Sequence, residues 1–473
     1  MSTSVDGLVS GLDTSTIISQ LMSIEKAPQN RLKTSLSSAQ SEVLSFQTVN
    51  KTMASLQAAA DKVRQASTWT ASTATSSSSS VTAAATSDAV TGSTTFSVTQ
   101  LATAASTIST RTFSSLTDTT GADSLAESTF EIRSADGTGS PVTVTPKDHS
   151  LSALVTAINA DPTTGVRAAA VQVSAGVYKL QLTATQTGVA HDFSLTGAGG
   201  APLTDLASTT VSAAKDAVLH VGDATAGFDI TSSSNTVEGV MPGVTVKVTG
   251  LANDVTISTS RDQSAITSSV KALVDAANGA LGMIGNQITQ GTLSSNGTRS
   301  GAGPLAGNSQ MKLMVDQILS TVTSGIGGTS LSSVGIASTK DGTLTFDATA
   351  FGNAFTKDPK AVQALFVSTP TTSDSTLITT SPTGTGLADK LSKIGFDTSS
   401  SGGTIQQSID GHNSTIKDLT DRIADWDVRL ASKQTSLQAQ YSALEVALGK
   451  LKNQSTWLAG QLNALSSNSG SSS

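Results

Sequence analysis

Cysteine is absent from all 473 residues, which removes disulfides, thiolate metal sites and thiol nucleophiles together. Charged side chains make up 13% of the chain, about half the share of an ordinary soluble domain. Their balance of 28 Lys+Arg against 35 Asp+Glu gives a net charge of −7, too acidic for an electrostatic grip on nucleic acid. Aromatics supply only 3%, so any cores are thin. No apolar run is long enough to read as a membrane-spanning helix. The four histidines, His149, His191, His220 and His412, lie far apart and none has a metal-ligand spacing. Met1 to Gln20 holds no Lys or Arg, whereas a cleavable secretory signal begins basic and turns apolar. Any export is therefore expected to use another route. A long chain filled with Ser, Thr and Ala reads as an exported scaffold of about three or four domains rather than an enzyme.

Both ends carry helical patterning. From Pro28, a residue suited to a first helical turn, apolar positions run through Leu32, Leu36, Ala39, Val43, Phe46, Asn50, Met53, Gln57 and Ala60. They alternate spacings of four and three, the period of a coiled coil. The pattern fades after Arg64, and the run Ser76–Ser80 reads as a linker. At the other end the same alternation holds from Ile405 through Ile409, His412, Ile416, Leu419, Ile423, Trp426 and Leu430. It goes on through Lys433, Leu437, Gln440, Leu444, Ala447, Leu451, Gln454, Leu458, Gln461 and Leu465. The tail from Ser466 is disordered by composition. A helix of that length cannot fold alone, and the N-terminal helix is the simplest partner. Polar seam residues (Asn50, His412, Lys433, Gln440, Gln454) set register or oligomer state, in an intramolecular hairpin or a seam that also meets other subunits.

Between the helical ends, short Thr- and Val-rich stretches alternate with a period of two. These are Thr95–Leu101, Val142–Val144, Val171–Val173, Tyr178–Thr183, Val244–Val248 and Val255–Ile257. One short helix, Leu151–Asn159, has Ser150 as its N-cap. Helix returns at Ile266–Ala277 and Met311–Val322. Asp341-Gly342 marks a hairpin, Asp358-Pro359 opens a helix through Phe366, and 301–307 and 370–386 read as loops. Helical ends pairing into a stalk, a mixed layer beside it and inserted β modules make an α+β protein with nested domains.

No pattern for catalysis stands out. Gly197-Ala198-Gly199-Gly200 lacks a lysine and a following helix, so it reads as a loop rather than a phosphate cradle. Asp148-His149-Ser150 holds triad letters, yet triad members meet through space, and Ser150 has a capping role. Asp341 and Asp347 read as turn residues rather than calcium ligands. The Asn-X-Ser/Thr triplets at Asn296, Asn413 and Asn453 are expected by chance in so Ser/Thr-rich a chain. No catalytic, cofactor or metal site is assigned, and the expected role is structural.

The stretch Gly7-Leu8-Val9-Ser10-Gly11-Leu12-Asp13-Thr14, with Ile17-Ile18, Leu21-Met22, Glu25 and Pro28, resembles the opening of the bacterial flagellar filament cap family, also called hook-associated protein 2. Three later segments are similar to that family in order. They are Ala217–Gly250 with Ser233-Ser234-Asn235-Thr236, Gly335–Phe366 with Asp341-Gly342-Thr343-Leu344, and Arg429–Leu465 with Tyr441, Leu444, Leu448 and Leu451. The family motif residues proper are Gly7, Leu8, Ser10, Gly11, Leu12 and Asp13.

The resemblance implies a fold: a terminal helical coiled coil from 1–45 and 405–473, and a mixed α/β leg from 46–80 and 259–404. A β-rich head from 81–125 and 211–258 would hold a second head domain, 126–210, inserted in it. It also implies a homo-oligomeric ring at the filament tip, extracellular, that retains exported flagellin and promotes its folding and polymerisation. Implied partners are further copies of the chain, flagellin, hook–filament junction proteins, the flagellar type III export apparatus and a cytoplasmic export chaperone. Neither nucleic acid nor membrane insertion is expected. The residues expected to meet the filament are Leu32, Leu36, Val43, Leu419, Ile423, Trp426, Leu430, Leu437, Leu444 and Leu451. A hook-associated junction protein, or a tip adhesin for host mucin or glycans, would share the same broad features.

Overall fold

A computed structural model of the chain describes residues 13–223, 226–295, 297, 299–368 and 382–468. In chain order, α1 (Thr14–Glu25), α2 (Ala27–Arg64) and a one-turn α3 (Ala66–Trp69) come first. Strands β1 (Ser72–Ser76), β2 (Val81–Ala85), β3 (Gly92–Gln100), β4 (Ser106–Ser109), β5 (Phe130–Ser134) and β6 (Val142–Val144) lead to α4 (Leu151–Ala160). Then follow β7 (Val166–Ser174), β8 (Val177–Ala184), β9 (Phe193–Gly197), β10 (Ser208–Ser212) and β11 (Ala217–Val221). β12 (Phe228–Ser232), β13 (Thr236–Met241), β14 (Val244–Val248) and β15 (Ala252–Arg261) complete the strand-rich stretch. α5 (Gln263–Ile288), the two-residue strands β16 (Thr292–Leu293) and β17 (Arg299–Ser300), and α6 (Ser309–Thr323) come next. The chain closes with hairpin β18 (Ile336–Ser338) and β19 (Leu344–Phe346), then α7 (Ala348–Lys357), α8 (Pro359–Phe366), α9 (Leu387–Ser399) and α10 (Thr404–Asn468).

Two compact units result: Ala66–Ile266, and the two flanking stretches together. The strand-rich unit contains two cores. In the inner module, sheets β1-β15-β3-β11-β12 and β13-β14-β2 enclose Phe96, Val98, Leu219, Val246 and Ile257. In the outer module, sheets β10-β4-β8-β7 and β6-β5-β9, with α4, enclose Phe113, Phe130, Leu151, Leu154, Ile158 and Leu182. Alternation gave these strands, because a sheet with one buried face needs apolar residues at every second position.

The boundaries differ from those expected. Ser76–Ser80 is not a linker: β1 pairs with β15 through Ser72↔Arg261, and Val81 N donates to Ser78 O at 3.3 Å in a tight turn. The strand-rich unit therefore begins before residue 81 and ends after 258. The inner boundary falls near 104 and 214 instead of 126 and 210, since Ala105, Phe113 and Leu125 belong to the outer core. The division at 45/46 has no break either, as α2 runs through it for 38 residues.

The chain crosses between modules as two antiparallel strands bridged at Thr103↔Lys215. Asn235 secures this crossing: its amide donates to Ala102 O at 2.9 Å and its Oδ1 accepts from Ala102 N at 2.8 Å. Beside it, Gly188 has φ +101° and a Cβ there would lie 2.6 Å from Ser233, so only glycine fits.

In the helical unit, α9 packs along α2. A Cβ on Gly395 would lie 2.6 Å from Gln57, so that glycine permits the close approach. Where α2 ends, Arg64 Nε donates to Asp389 at 2.9 Å, and the carboxylate is only 1% exposed. Asp389 also accepts from Ser368 N at 2.9 Å, Ser368 Oγ at 3.0 Å and Gly386 N at 3.2 Å. It therefore ties the α2 end, the start of α9 and both ends of the segment between α8 and α9. Four of the few aromatics gather nearby in sequence: Phe351 meets Phe346, Phe355 and Phe366 at ring distances of 5.6–6.0 Å. The sequence reading missed α7 and α9; for α9 the signal was Leu387, Leu391 and Ile394 at helical spacing with Asp389 in the first turn.

Two predictions follow from these contacts. Asp389→Ala should destabilise the helical unit by about 3–5 kcal/mol, because it removes the buried carboxylate that accepts from Arg64, Ser368 and Gly386, while Asp389→Asn should cost less; denaturant melts measure both. His220 donates or accepts at Asp229 Oδ1 across 2.7 Å and at Asp223 O across 3.1 Å. The Asp229 carboxylate first, then the Asp223 carbonyl, raises its pKa above the ordinary histidine value. The stabilisation from that pair is full below about pH 6.5 and is lost as pH rises through the folded value. An NMR titration should place His220 above 6.5, and Asp229→Asn should bring it down.

Candidate assembly surfaces

α10 runs for 65 residues, about 97 Å at the helical rise. It lies antiparallel to α1 and α2, and polar side chains set the register. Gln29 Nε2 donates to Asp427 Oδ1 at 2.6 Å and to Ile423 O at 3.4 Å. His412 Nδ1 lies 3.0 Å from Glu42, and Lys433 Nζ lies 3.7 Å from Glu25. The His412 ring also sits 5.4 Å from that of Phe46. Two of the polar seam residues, His412 and Lys433, thus have carboxylate partners within the chain. A third, Asn50, has a buried Oδ1 without a hydrogen-bond partner among the described residues.

The expected filament-binding residues divide along this helix. Val43, Leu419 and Leu430 are buried in the chain's own helix pair, and Leu32, Leu36, Ile423, Trp426 and Leu437 are half-buried along it. Leu444 and Leu451 are instead 45% and 60% exposed, and Trp457, Leu458 and Leu462 on the same stretch are 57–65% exposed. The seam is therefore consumed by intramolecular packing up to Leu430 and presented to solvent beyond Leu437. Sequence reasoning gave Gln29, Glu42 and Glu25 no pairing role; the carboxylates of Glu42 and Glu25 were the available signal for His412 and Lys433.

At the start of the first helix, Asp13 caps α1. Its carboxylate accepts from Thr16 Oγ1 at 2.6 Å, Thr16 N at 2.9 Å and Ser15 Oγ at 3.0 Å. The Thr16 hydroxyl first, with these other donors, holds its pKa below the usual carboxylate range. Asp13 thus has a local mechanical role, while Gly7, Leu8, Ser10, Gly11 and Leu12 lie outside the described residues, as does Asn296.

Elsewhere the suggestive letters have structural uses. Ser150 Oγ accepts from Ala153 N at 3.2 Å and caps α4, and Asp148 Oδ1 accepts from that hydroxyl at 2.5 Å. His149 instead faces Leu125 O at 2.8 Å. Gly199 N donates to Glu131 Oε1 at 2.9 Å, so the glycine loop holds the chain's own carboxylate. Asp347 caps α7, accepting from Thr349 N and Ala350 N. Among the described residues no group of His, Asp and Glu could hold a metal, and no helix is long and apolar enough to cross a membrane.

Nested β modules inserted in the chain between paired terminal helices, with leucines of the α10 seam exposed, define the class of fold. The flagellar hook-associated protein 2 family models match at both ends, the N-terminal one over residues 10–105 and the C-terminal one over 214–453. The chain belongs to that family. The stretch between the matches coincides with the outer β module. Among similar proteins, flagellar hook-associated protein 2 of Escherichia coli K12 is 27% identical over 471 residues, 96% of this chain and 97% of that protein. Lateral flagellar hook-associated protein 2 of Vibrio parahaemolyticus is 30% identical over 247 residues, 50% of this chain. That alignment spans about half of the Vibrio protein, 53%. The crystal structure of the D1-D2-D3 domains of the E. coli flagellar cap protein shares the fold, with a TM-score of 0.59 at 24% identity. It covers 78% of this chain and 99% of that one.

The division of the seam predicts two kinds of leucine variant. Leu430→Asp should lower the stability of the helical unit by about 3 kcal/mol, as burial of an unpaired charge does. Leu451→Glu with Leu458→Glu should leave the melting curve within about 0.5 kcal/mol of the parent, as surface changes do.

Proposed function

We propose that this protein is the structural cap at the distal tip of the bacterial flagellar filament. It assembles with further copies of itself, retains flagellin that arrives by export, and promotes flagellin folding and polymerisation at the tip. The observation that carries the reading is the family match on both sides of the inserted module, which brings in the docking helix and the β platform together. The exposed seam of α10, from Leu444 onward, meets helical ends of filament subunits. Residues up to Leu430 serve chiefly to hold α10 on α2, so the docking role narrows to Leu437, Leu444 and Leu451 and their neighbours.

A surface poor in aromatics suits this work, because tight interfaces lean on Trp, Tyr and Arg anchors, and a cap must release one site to take the next. Export runs through the flagellar type III apparatus, with a cytoplasmic chaperone covering the apolar helix. Hook–filament junction proteins would form its first seat, before filament growth begins. The working location is extracellular, at the filament tip.

Deleting the gene in the source bacterium tests the reading. Flagellin should accumulate as monomer in the medium while filaments are missing, and the wild-type gene should restore them. A complementing Leu451→Glu, Leu458→Glu variant should be exported and folded yet fail to restore filaments. Normal filaments in the deletion strain would reject the cap assignment.

A further inference from the structure

The outer module's four-stranded sheet, β10-β4-β8-β7, is open at both edges, and the two edges are guarded unequally. On β7, Ala168 turns its backbone away from β8, and Asn159 of α4 covers it. The Asn159 amide donates to Ala168 O at 2.8 Å, and its Oδ1 accepts from Ala168 N at 2.9 Å. One step earlier, the Thr164 hydroxyl accepts from Val166 N at 3.4 Å. These side chains occupy the groups that an added strand would need. The same parity turns the backbone groups of Ala170 and Gln172 outward, and among the described residues nothing covers them. From Ala170 to Ser174 the edge has no charge and no proline, and Val173 is 48% exposed.

The opposite edge matches it. β10 is a five-residue strand, exposed over Ser208–Val211, without charge or proline, and Val211 is 59% exposed. Ala207 O accepts from Thr110 N at 2.7 Å, so by alternation Ser208 and Thr210 point their backbone groups outward. Every neighbouring pair in the sheet is antiparallel. β7 therefore runs opposite to β10, and a second sheet laid edge to edge continues the alternation.

We propose that β10 of one copy adds to the open half of β7 of the next. Ala170 faces Thr210 and Gln172 faces Ser208 as hydrogen-bonded pairs, giving four backbone bonds, with Val171 opposite Thr209 between them. A second copy fits because both half-edges are uncharged, of equal length and spaced for the same register, while Asn159 and Thr164 stop further pairing. The contact joins two different edges, so it is heterologous and propagates head to tail, closing into a ring if the rotation permits. It rests on the reading of the protein as self-assembling and adds the surface that does it.

The cysteine-free chain makes the test clean. Val171→Cys with Thr209→Cys in the full chain places thiols at a non-hydrogen-bonded pair, where a spacing of about 4.5 Å suits a disulfide. Mild oxidation should give a ladder of covalent oligomers, with each single variant staying monomeric on non-reducing gels. No ladder from a double variant whose circular dichroism and melt match the parent would overturn the proposal. So would a covalent dimer from Val171→Cys alone, which would mean β7 meets β7. Independently, Ala170→Pro removes one outward N–H without touching the β7–β8 ladder. It should weaken self-association at least tenfold, read by sedimentation, with the far-UV spectrum unchanged; unaltered association would overturn the pairing. Filament loss on gene deletion with no ladder would leave the cap reading standing and remove this interface alone.

Discussion

A helix of 65 residues with an apolar seam is stable only if something covers that seam, because helix propensity alone does not hold it in water. Here α1 and α2 cover the first part, and the antiparallel pairing with α10 requires that the chain leave and return at the same place. That requirement is what allows whole β modules to be inserted between the two helices without disturbing either. Register then matters more than strength. A slip of one heptad would keep the leucines opposed but would part His412 from Glu42 and Gln29 from Asp427. Polar contacts along an otherwise thin seam therefore select one alignment, as polar residues in coiled coils commonly do.

A chain with 13% charge and 3% aromatics has few strong anchors, and asparagine takes over part of their work. Asn159 clamps Ala168, Asn235 clamps Ala102 and Asn278 clamps Leu344, each through a reciprocal pair of bonds at 2.7–2.9 Å. A primary amide offers one donor and one acceptor in the spacing of a peptide group, so each clamp imitates a single β-bridge. The three sites differ in use. Asn159 shields a sheet edge, Asn235 pins the crossing between modules, and Asn278 holds the hairpin strand β19 against α5. Asn235 lies in the segment Ser233–Thr236 that marks the family resemblance, and the crossing gives that segment a mechanical reason to exist.

Features that depend on local pattern were legible in the sequence. Alternating Thr and Val marked β3, β6, β8, β14 and β15, Ser150 marked the start of α4, and Asp358-Pro359 marked α8. The heptad at the C-terminus foretold α10 almost to its end. What failed depended on distant partners. Ser76–Ser80 has the composition of a linker, yet it closes β1, which β15 holds in a ladder, and turns tightly into β2. The outer module begins near residue 104, because Ala105 and Phe113 join a core whose other members lie up to a hundred residues away. Among the candidate docking residues, periodicity could place all ten on one seam, but only the start of α1 at Thr14 separates buried Leu430 from exposed Leu451.

The sequence of α10 sets the character of the exposed seam. Beyond Leu437 its layers alternate between leucine (Leu444, Leu451, Leu458) and small or amide residues (Gln440, Ala447, Gln454, Gln461). Each leucine contributes roughly 2 kcal/mol when fully buried, whereas a glutamine in the seam must find a hydrogen-bond partner or weaken the contact. In the proposed docking role, a half-apolar seam of this kind favours a partner that offers matching polar groups over a purely greasy one. Its free energy per turn is about half that of a continuous leucine zipper. In the proposed cap role, where the helix holds as a set yet lets go one subunit at a time, dilution by glutamine serves better than a stronger seam.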